Sequence, residues 1–251
     1  MKIKSAMSIA GYDPSGGAGV LNDIKTFSAL GLYGTAVITA LTAQNIYKVE
    51  DIFPVAPDFI EKEIDLIIEQ EDIEYIKTGM LYSKEIVKSV AKKVAQYELK
   101  VVVDPVMVAG SGGILSQKNF SNSLKKYLLP QAILTTPNIS EAEILSGLKI
   151  EDEDDAVEAA LKIGETVNVV ITGGHLKGND IYYDGDIKVI KGEILKSRNT
   201  HGSGCTYSAA ITAYLIKGFN LEESILKAGE FVTESIRDGY KGTLNQYWKF
   251  K

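Results

Sequence analysis

Cysteine and histidine are scarce in this chain of 251 residues, which has one cysteine, Cys205, and two histidines, His175 and His201. A single cysteine cannot form an intrachain disulfide, and one cysteine with two histidines is too small a set for the usual structural zinc site. The thiol therefore needs an explanation of its own. It lies in NTHGSGCTYSAA, residues 199–210, where a glycine-rich turn precedes a predicted helix.

Long apolar runs and clusters of basic residues are also missing. No apolar stretch reaches the roughly 20 residues that a membrane-spanning helix needs, and the first residues lack a signal-peptide pattern. The chain carries 27 basic against 33 acidic residues, a formal net charge of −6, without a basic run that would follow a phosphate backbone. We expect a cytoplasmic protein whose partners include neither membranes nor nucleic acids.

Short β-branched runs alternate with amphipathic helical patterns, which is typical of βαβ units around a largely parallel sheet. Asp-Gly and Lys-Gly within residues 181–195 predict antiparallel hairpins. We therefore predict one α/β domain over residues 1–251, with a central, mostly parallel sheet, helices on both faces and a small antiparallel hairpin element. The predicted strands are residues 5–10, 35–41, 74–79, 100–106, 132–137 and 168–174; the predicted helices are 19–31, 57–70, 83–97, 116–129, 140–147, 154–164, 204–217 and 221–238.

The first predicted strand runs into the glycine-rich segment AGYDPSGGAGVLNDIKTF. Its glycines permit close approach of the backbone to a ligand at a helix N-terminus, and a plain turn capped by Asp13 or Ser15 is equally compatible with the pattern. The segment lacks the third glycine of a dinucleotide-binding fingerprint, and no Gly-Lys-Ser/Thr of a P-loop occurs in the chain. Asp23, on its own, is predicted to be a surface carboxylate.

Polar residues follow two further apolar strands. Asp104 ends KVVVDPV, and Asn138 with Glu141 follows the strand that ends in TTP. Carboxylates at strand ends can hold Mg²⁺, directly or through water. Asn138 and Glu141 also have the spacing of a helix-capping box, and Asp104 could simply cap a turn.

The cysteine turn combines two features that favour an anion. Gly202 and Gly204 let backbone N–H groups converge, and the following helix adds its positive N-terminal end. There we expect the pKa of the Cys205 thiol to fall from about 8.5 toward neutrality, which would produce a thiolate able to accept a proton or to attack an electrophile. A small buried hydrophobic residue is the alternative for a free cysteine. Both histidines are predicted to be hydrogen-bonded loop residues.

Six segments in this order resemble the hydroxymethylpyrimidine/phosphomethylpyrimidine kinases of thiamine biosynthesis, in the ribokinase superfamily: GYDPSGGAGVLNDIKTFSALGLYGTAVITALTAQN, KTGML, VVDPVM, TPNISEAE, TGGH and THGSGCTYSAA. The resemblance covers residues 5–235. It implies a ribokinase-like fold and a homodimer. It also implies ATP- and Mg²⁺-dependent phosphorylation of 4-amino-5-hydroxymethyl-2-methylpyrimidine, and then of its monophosphate to the diphosphate.

The resemblance also implies roles for individual residues. Asp23 and Gln44 would hydrogen-bond the aminopyrimidine, and Cys205 would be the catalytic base, where most sugar kinases of the superfamily have aspartate. The pocket would be lined by Gly11, Ala18, Met80 and Val106 or Val108; the anion turn would be Gly202, Ser203 and Gly204; the nucleotide would be bound by Asn138, Thr172, Gly174, His175 and Lys241; Mg²⁺ would be held by Asp104 and Glu141.

Three features depart from the family pattern. Gly110 and Thr172 stand where relatives usually have lysine, and a Gly-Pro that often follows the residue matching Lys241 is replaced by Thr243-Leu244. Missing cations would matter most for the second phosphorylation, because its acceptor is itself a phosphate. The alternative functions are a pyridoxal or pyridoxine kinase of the same branch and a non-catalytic binding protein. The glycine-rich residues 107–116 are a candidate lid over the substrate.

Overall fold

The computed structural model describes residues 3–108, 112–113, 115–117, 119–174 and 178–250. Within them, nine strands belong to one sheet: β1 (Ser5–Tyr12), β2 (Tyr33–Gln44), β3 (Val49–Pro54), β4 (Tyr75–Thr78), β5 (Lys100–Val103), β6 (Ala132–Thr135), β7 (Val169–Ile171), β8 (Asp180–Tyr183) and β9 (Ile187–Ile190). The order across the sheet is β3-β2-β1-β4-β5-β6-β7-β8-β9.

The helices fill the connections between strands. They are α1 (Gly19–Ala29), α2 (Pro57–Gln70), α3 (Lys84–Gln96), α4 (Phe120–Ser123), α5 (Ile139–Ser146), α6 (Glu153–Gly164), α7 (Ser203–Ile216) and α8 (Leu221–Arg237). None of the helices in the described part of the chain is long and apolar enough to cross a membrane.

The sheet is mostly parallel, as the alternating pattern predicts. β2, β1, β4, β5, β6 and β7 run parallel to their neighbours in that order. β8 and β9 add the predicted antiparallel hairpin at one edge. At the other edge β3 pairs antiparallel with β2, a strand that the sequence did not predict because VEDIFP has mixed polarity and is mostly exposed.

Alternate residues of the central strands enter two different cores, which explains their continuous apolar runs. Val101 and Val103 of β5 belong to a core shared with α2, α3, α5 and α6. Val102 belongs to the opposite core, shared with α1, α7 and α8. The helices therefore cover both faces of the sheet, as predicted.

The least regular part is the segment predicted as one helix over residues 116–129. It contains the short α4, a π-turn over Leu124–Leu128 and a 3₁₀ turn over Leu129–Gln131. Pro130 lies in that last turn, where its ring prevents an ordinary helical continuation. The predicted strands that reach residues 106, 137 and 174 also end earlier, and the freed residues turn into the loops that carry the site.

Candidate active site

A cavity of about 50 Å³ lies at the carboxyl ends of β1, β4 and β5, the edge where open α/β sheets bind ligands. Six residues proposed from the sequence line it together: Gly11, Ala18, Gln44, Met80, Val106 and Cys205. Further lining residues are Ala10, Tyr12, Asp13, Gly19, Thr42, Lys77 and Leu115. The wall is therefore largely apolar, with a few polar groups converging on it, as in small-molecule sites.

Met80 forms one wall through close contact with Gly11. A Cβ atom at Gly11 would lie 2.8 Å from the Met80 Sδ, so only glycine lets the thioether approach the strand. Thr39 Oγ1 donates to the Met80 carbonyl at 2.6 Å and fixes the Met80 backbone. The resulting flat apolar surface suits one face of a planar ring.

Asp13 organises the glycine-rich loop that follows β1. Its carboxylate accepts hydrogen bonds from the Ser15 and Ala18 backbone N–H groups, at 2.9 and 3.0 Å. His201 Nε2 lies 2.8 Å from Asp13 Oδ2. Burial opposes ionisation, but the hydrogen bonds from His201 and Ser15 lower the pKa of Asp13. The predicted cap by Asp13 and the hydrogen-bonded state of His201 are confirmed.

The glycine loop also abuts the cysteine turn. Gly202 has φ = +90° and precedes the first turn of α7, and a Cβ atom on it would lie 1.8 Å from the Gly17 carbonyl oxygen. Glycine is required there for both reasons. Ser203, Gly204 and Cys205 then form the first turn of α7, with their N–H groups at the positive end of the helix.

Beneath the cavity, Lys77 and Asp23 form an ion pair with neither side chain exposed. The Lys77 Nζ lies 3.1 and 2.9 Å from the two Asp23 oxygens, and Ser8 Oγ donates to Asp23 at 2.5 Å. The prediction of a surface carboxylate at Asp23 is wrong, because α1 packs this residue against β1 and β4. Both of its oxygens are occupied, and Asp23 is not among the residues that line the cavity.

Lys77 also lies 3.7 Å from Asp104 Oδ2 and lines the cavity beside Cys205. Burial disfavours the ammonium ion, but the charges of Asp23, Cys205 and Asp104 outweigh burial and raise the Lys77 pKa. Lys77 is therefore a fixed positive charge at the base of the cavity.

The thiol of Cys205 differs from its predicted state. Burial, together with the nearby Asp104 and Asp23, raises its pKa to about 12, although Lys77 and the Gly19 N–H act in the opposite direction. The prediction of a pKa near neutrality is wrong for this structure, because desolvation and two carboxylates outweigh the helix end. Cys205 is only partly buried and lines the cavity, so the alternative of a core hydrophobic residue does not describe it either.

Asp104 and Glu141 are two buried carboxylates that influence each other. Asp104 accepts a hydrogen bond from Ser208 Oγ at 3.1 Å. Burial and the Asp104 charge raise the pKa of Glu141 to about 8, and burial raises that of Asp104 while Lys77 opposes it. Among the described residues no group of three or more histidine, cysteine or acidic side chains could hold a metal.

Asn138 and Glu141 do form the capping box that their spacing indicates. Asn138 accepts from the Glu141 N–H, and Glu141 Oε2 accepts from the Asn138 N–H, each at 3.0 Å. The other Glu141 oxygen accepts from the Met107 N–H at 3.3 Å. Capping uses one lone pair of each oxygen, which leaves the carboxylate able to serve as a ligand as well.

Within the described part of the chain, the other residues predicted to bind the substrate or the nucleotide do not line the cavity that contains Cys205. Thr172 pairs with Asn138 in an isolated bridge beside α5, and Gly174 lies two residues further on. Val108 is 42% exposed and does not line the cavity. Lys241 lines a second cavity on the other side of the glycine-rich loop. His175 and Gly110 lie outside the described residues.

Three residues near the site had no role assigned from the sequence. Lys77 could have been noticed, since a lysine between apolar residues in a buried parallel strand needs a buried partner. Asp180 accepts from the Gly173 N–H and from Tyr207, and so holds the turn that ends in Gly174. Leu115 lines the cavity, and its N–H donates to the Met107 carbonyl; nothing in its local sequence indicated this.

Comparison with known proteins places this geometry in a family. The sequence profile of the phosphomethylpyrimidine kinase family matches residues 13–247. The chain is 43% identical to the thiamine biosynthesis bifunctional protein of Geobacter sulfurreducens over 93% of its own length, and spans about half (49%) of that longer protein. It is 41% identical to the hydroxymethylpyrimidine/phosphomethylpyrimidine kinase of Aquifex aeolicus, covering 94% of this chain and 95% of that one.

A solved structure gives the same fold. The pyridoxal kinase of Staphylococcus aureus in complex with AMP-PCP and pyridoxal superposes with a TM-score of 0.90 at 33% identity, covering 100% of this chain and 96% of that one. The predicted ribokinase-like architecture is confirmed by this likeness and by the sheet order.

Proposed function

This chain belongs to the phosphomethylpyrimidine kinase family, and we propose that it phosphorylates 4-amino-5-hydroxymethyl-2-methylpyrimidine and then the monophosphate, with ATP as the donor, in thiamine biosynthesis. One observation carries the proposal: a ring-sized apolar wall, a polar amide and the Cys205 turn face a single cavity. The proposal includes a homodimer in the cytoplasm, in keeping with the family.

Recognition of the pyrimidine rests on Gln44 and Met80. Gln44 offers both a donor and an acceptor, which match the amino group and ring nitrogen of an aminopyrimidine. Met80 and Gly11 supply the apolar surface for the ring. Asp23 was expected to take part, but its oxygens are held by Lys77 and Ser8, so its role in binding would be to fix Lys77 beneath the ring.

The transferred phosphoryl group would meet the first turn of α7. The Ser203 N–H already donates to the Thr200 carbonyl, so the N–H groups of Gly204 and Cys205, at the positive end of α7, would stabilise the charge of the transition state. Lys77, which lines the same cavity as Cys205, adds a buried positive charge. These charges are fixed before the reaction begins, so no reorganisation is needed during transfer.

The donor set fits Mg²⁺, which proteins hold through one or two carboxylates with phosphate oxygens completing the shell. Asp104 and Glu141 would hold it, since burial raises the pKa of both carboxyl groups and the Asp104 charge raises that of Glu141 further, so a bound cation would favour their ionised forms. When bound, the ion would neutralise charge on the phosphoryl group and on Asp104, whose own charge is one cause of the high Cys205 pKa. Asn138 and Thr172 would lie beside the nucleotide.

Cys205 would accept the proton of the substrate hydroxyl group as that oxygen attacks the γ-phosphate. Its position on the cavity wall, next to the anion turn, supports this role, since a base must lie within hydrogen-bond reach of the proton that it removes. Burial keeps the thiol protonated in the ligand-free protein, so Cys205 would have to lose this proton before it acts as a base; Lys77 and the Gly19 N–H favour that ionisation. A positioned base contributes about 10² to 10⁴ in rate.

Release of ADP, measured with the pyrimidine as acceptor, tests this proposal. We expect Cys205→Ala to lose about 100-fold or more in kcat while its circular dichroism and thermal midpoint stay near those of the wild type. Thr212→Ala, further along α7, is the matched control, because it alters the same helix away from the cavity. Near-normal turnover of Cys205→Ala would exclude the cysteine as the base, and absence of ADP release from the wild type would indicate a binding protein.

A further inference from the structure

A second cavity of about 220 Å³ lies between three loops, and it shares no lining residue with the cavity that contains Cys205. It is lined by Ser15, Lys25, Ile46, Tyr240, Lys241, Thr243, Leu244, Asn245, Gln246 and Tyr247. Two of these residues are lysines and none is acidic, although the whole chain carries a net charge of −6.

The two lysines retain most of their hydrogen-bonding capacity. Lys25 Nζ donates to the Gly16 carbonyl at 2.6 Å, which leaves two of its three donors. Within the described ranges, neither Lys25 nor Lys241 forms an ion pair with a carboxylate. Two uncompensated cations that share one concave surface are a feature of anion sites.

The backbone conformation of Lys241 is a further sign of an anion site. Tyr240 and Thr243 exchange two backbone hydrogen bonds at 3.0 Å, and the two residues between them have φ of +53° and +83°. This is a two-residue turn of the type that favours asparagine or glycine at its first central position. Lysine there costs conformational energy, so its side chain has a reason to be present beyond the turn.

From these observations we propose that this cavity binds a small phosphate-bearing anion between Lys25 and Lys241. Of the other polar lining residues, Ser15 Oγ already donates to Asp13, and Gln246 Nε2 donates to Asn22 and Thr206. Asn245 Nδ2 donates one of its two hydrogens to Asp238 and keeps the other, and Tyr240 and Tyr247, which are 58% and 41% exposed, also line the cavity. The cavity volume of about 220 Å³ is many times what one water molecule needs, so the cavity has room for a phosphate group with a small organic group attached.

Phosphorus-31 line broadening on the full chain tests the proposal. The protein is first saturated with Mg²⁺ and AMP-PCP, so that nucleotide phosphates occupy the Cys205 turn, and is then titrated with inorganic phosphate at constant ionic strength. We expect saturable binding that weakens about tenfold in Lys25→Gln and in Lys241→Gln, and that is restored in Lys25→Arg.

Lys84→Gln is the matched control, because it removes one exposed positive charge at the start of α3 and should leave the affinity unchanged. Equal affinity in the wild type and both glutamine variants, or an equal loss in Lys84→Gln, would overturn the site. A parallel titration with phenyl phosphate separates the two sources of the anion: tighter binding than phosphate indicates an aromatic phosphate ester, and equal binding indicates the free ion. The readout does not depend on turnover, so it is independent of the proposed kinase activity.

Discussion

Lys77 and Asp23 form a fully buried ion pair in which the ammonium nitrogen lies within 3.1 Å of both carboxylate oxygens. The pair joins β4 to α1 directly beneath the cavity. Its members compensate each other in an environment where either charge alone would be costly. The base of the site therefore depends on both residues together.

Removing one member of this pair should destabilise the protein strongly. Lys77→Met leaves the Asp23 carboxylate buried without a counter-charge, and we expect a loss of about 3 to 5 kcal/mol in the free energy of unfolding, measured in urea. The double variant Lys77→Met/Asp23→Asn should recover part of this loss, since Asp23 is then neutral and only Asp104 has lost its neighbouring cation. Additive losses in the double variant would show that the two residues do not form a coupled pair.

The reactivity of Cys205 should depend on pH in a way that reports its high pKa. Alkylation by iodoacetamide proceeds through the thiolate, so its rate should rise about tenfold per pH unit from pH 7 to pH 9 without reaching a plateau. Mass spectrometry follows the reaction cleanly because the chain has one cysteine. A plateau near pH 8 would instead mean a thiol already ionised at neutral pH.

Glu141 should make the protein less stable as the pH rises. Its folded pKa of about 8 exceeds the usual 4.5, so between these values the folded state binds a proton that the unfolded chain has released, and stability falls through this window. Without Mg²⁺, Glu141→Gln should therefore raise the thermal midpoint at pH 8.5 and have little effect at pH 5. Each kcal/mol corresponds to roughly 2 to 4 °C.

Glu143, on the same helix, is a control because its pKa is shifted in the opposite direction to that of Glu141. The Ile150 N–H and Lys149 lower the pKa of Glu143, so its ionised form stabilises the folded state. Glu143→Gln should lower the midpoint at pH 8.5. An equal shift of the thermal midpoint at both pH values in Glu141→Gln would contradict the raised pKa of Glu141.

Two glycines of the cysteine turn should respond differently to alanine. Gly202→Ala places a methyl group 1.8 Å from the Gly17 carbonyl at a φ of +90°, so we expect lower stability and a loss of at least about 100-fold in activity. Gly204 has open space around its Cα within α7, and Gly204→Ala should keep or raise stability by about 0.5 to 1 kcal/mol. Calorimetry compares the two; similar midpoints would contradict the close contact between the loops.

The spacing of apolar residues was enough to predict the central strands and most of the helices. Strands such as β5 are apolar on both faces, and in helices such as α3 the apolar residues recur every three to four positions. This spacing could not reveal β3, which is exposed at an edge. The predictions for Asp23 and Cys205 were wrong because they used only the neighbouring sequence. Burial of Asp23 depends on how α1 packs against the sheet. The raised pKa of Cys205 depends on its burial in the fold and on two carboxylates, Asp104 and Asp23, that lie more than 100 positions away in the sequence.

The account is tested most directly by the products formed from MgATP and an equimolar mixture of hydroxymethylpyrimidine, pyridoxal and pyridoxine, identified by mass spectrometry. We predict the pyrimidine monophosphate first and the diphosphate after it. Monophosphate alone would restrict the activity to the first step and direct attention to Gly110 and Thr172. Predominant pyridoxal phosphate, or the absence of any phosphorylated product, would contradict the assignment of this chain as a pyrimidine kinase.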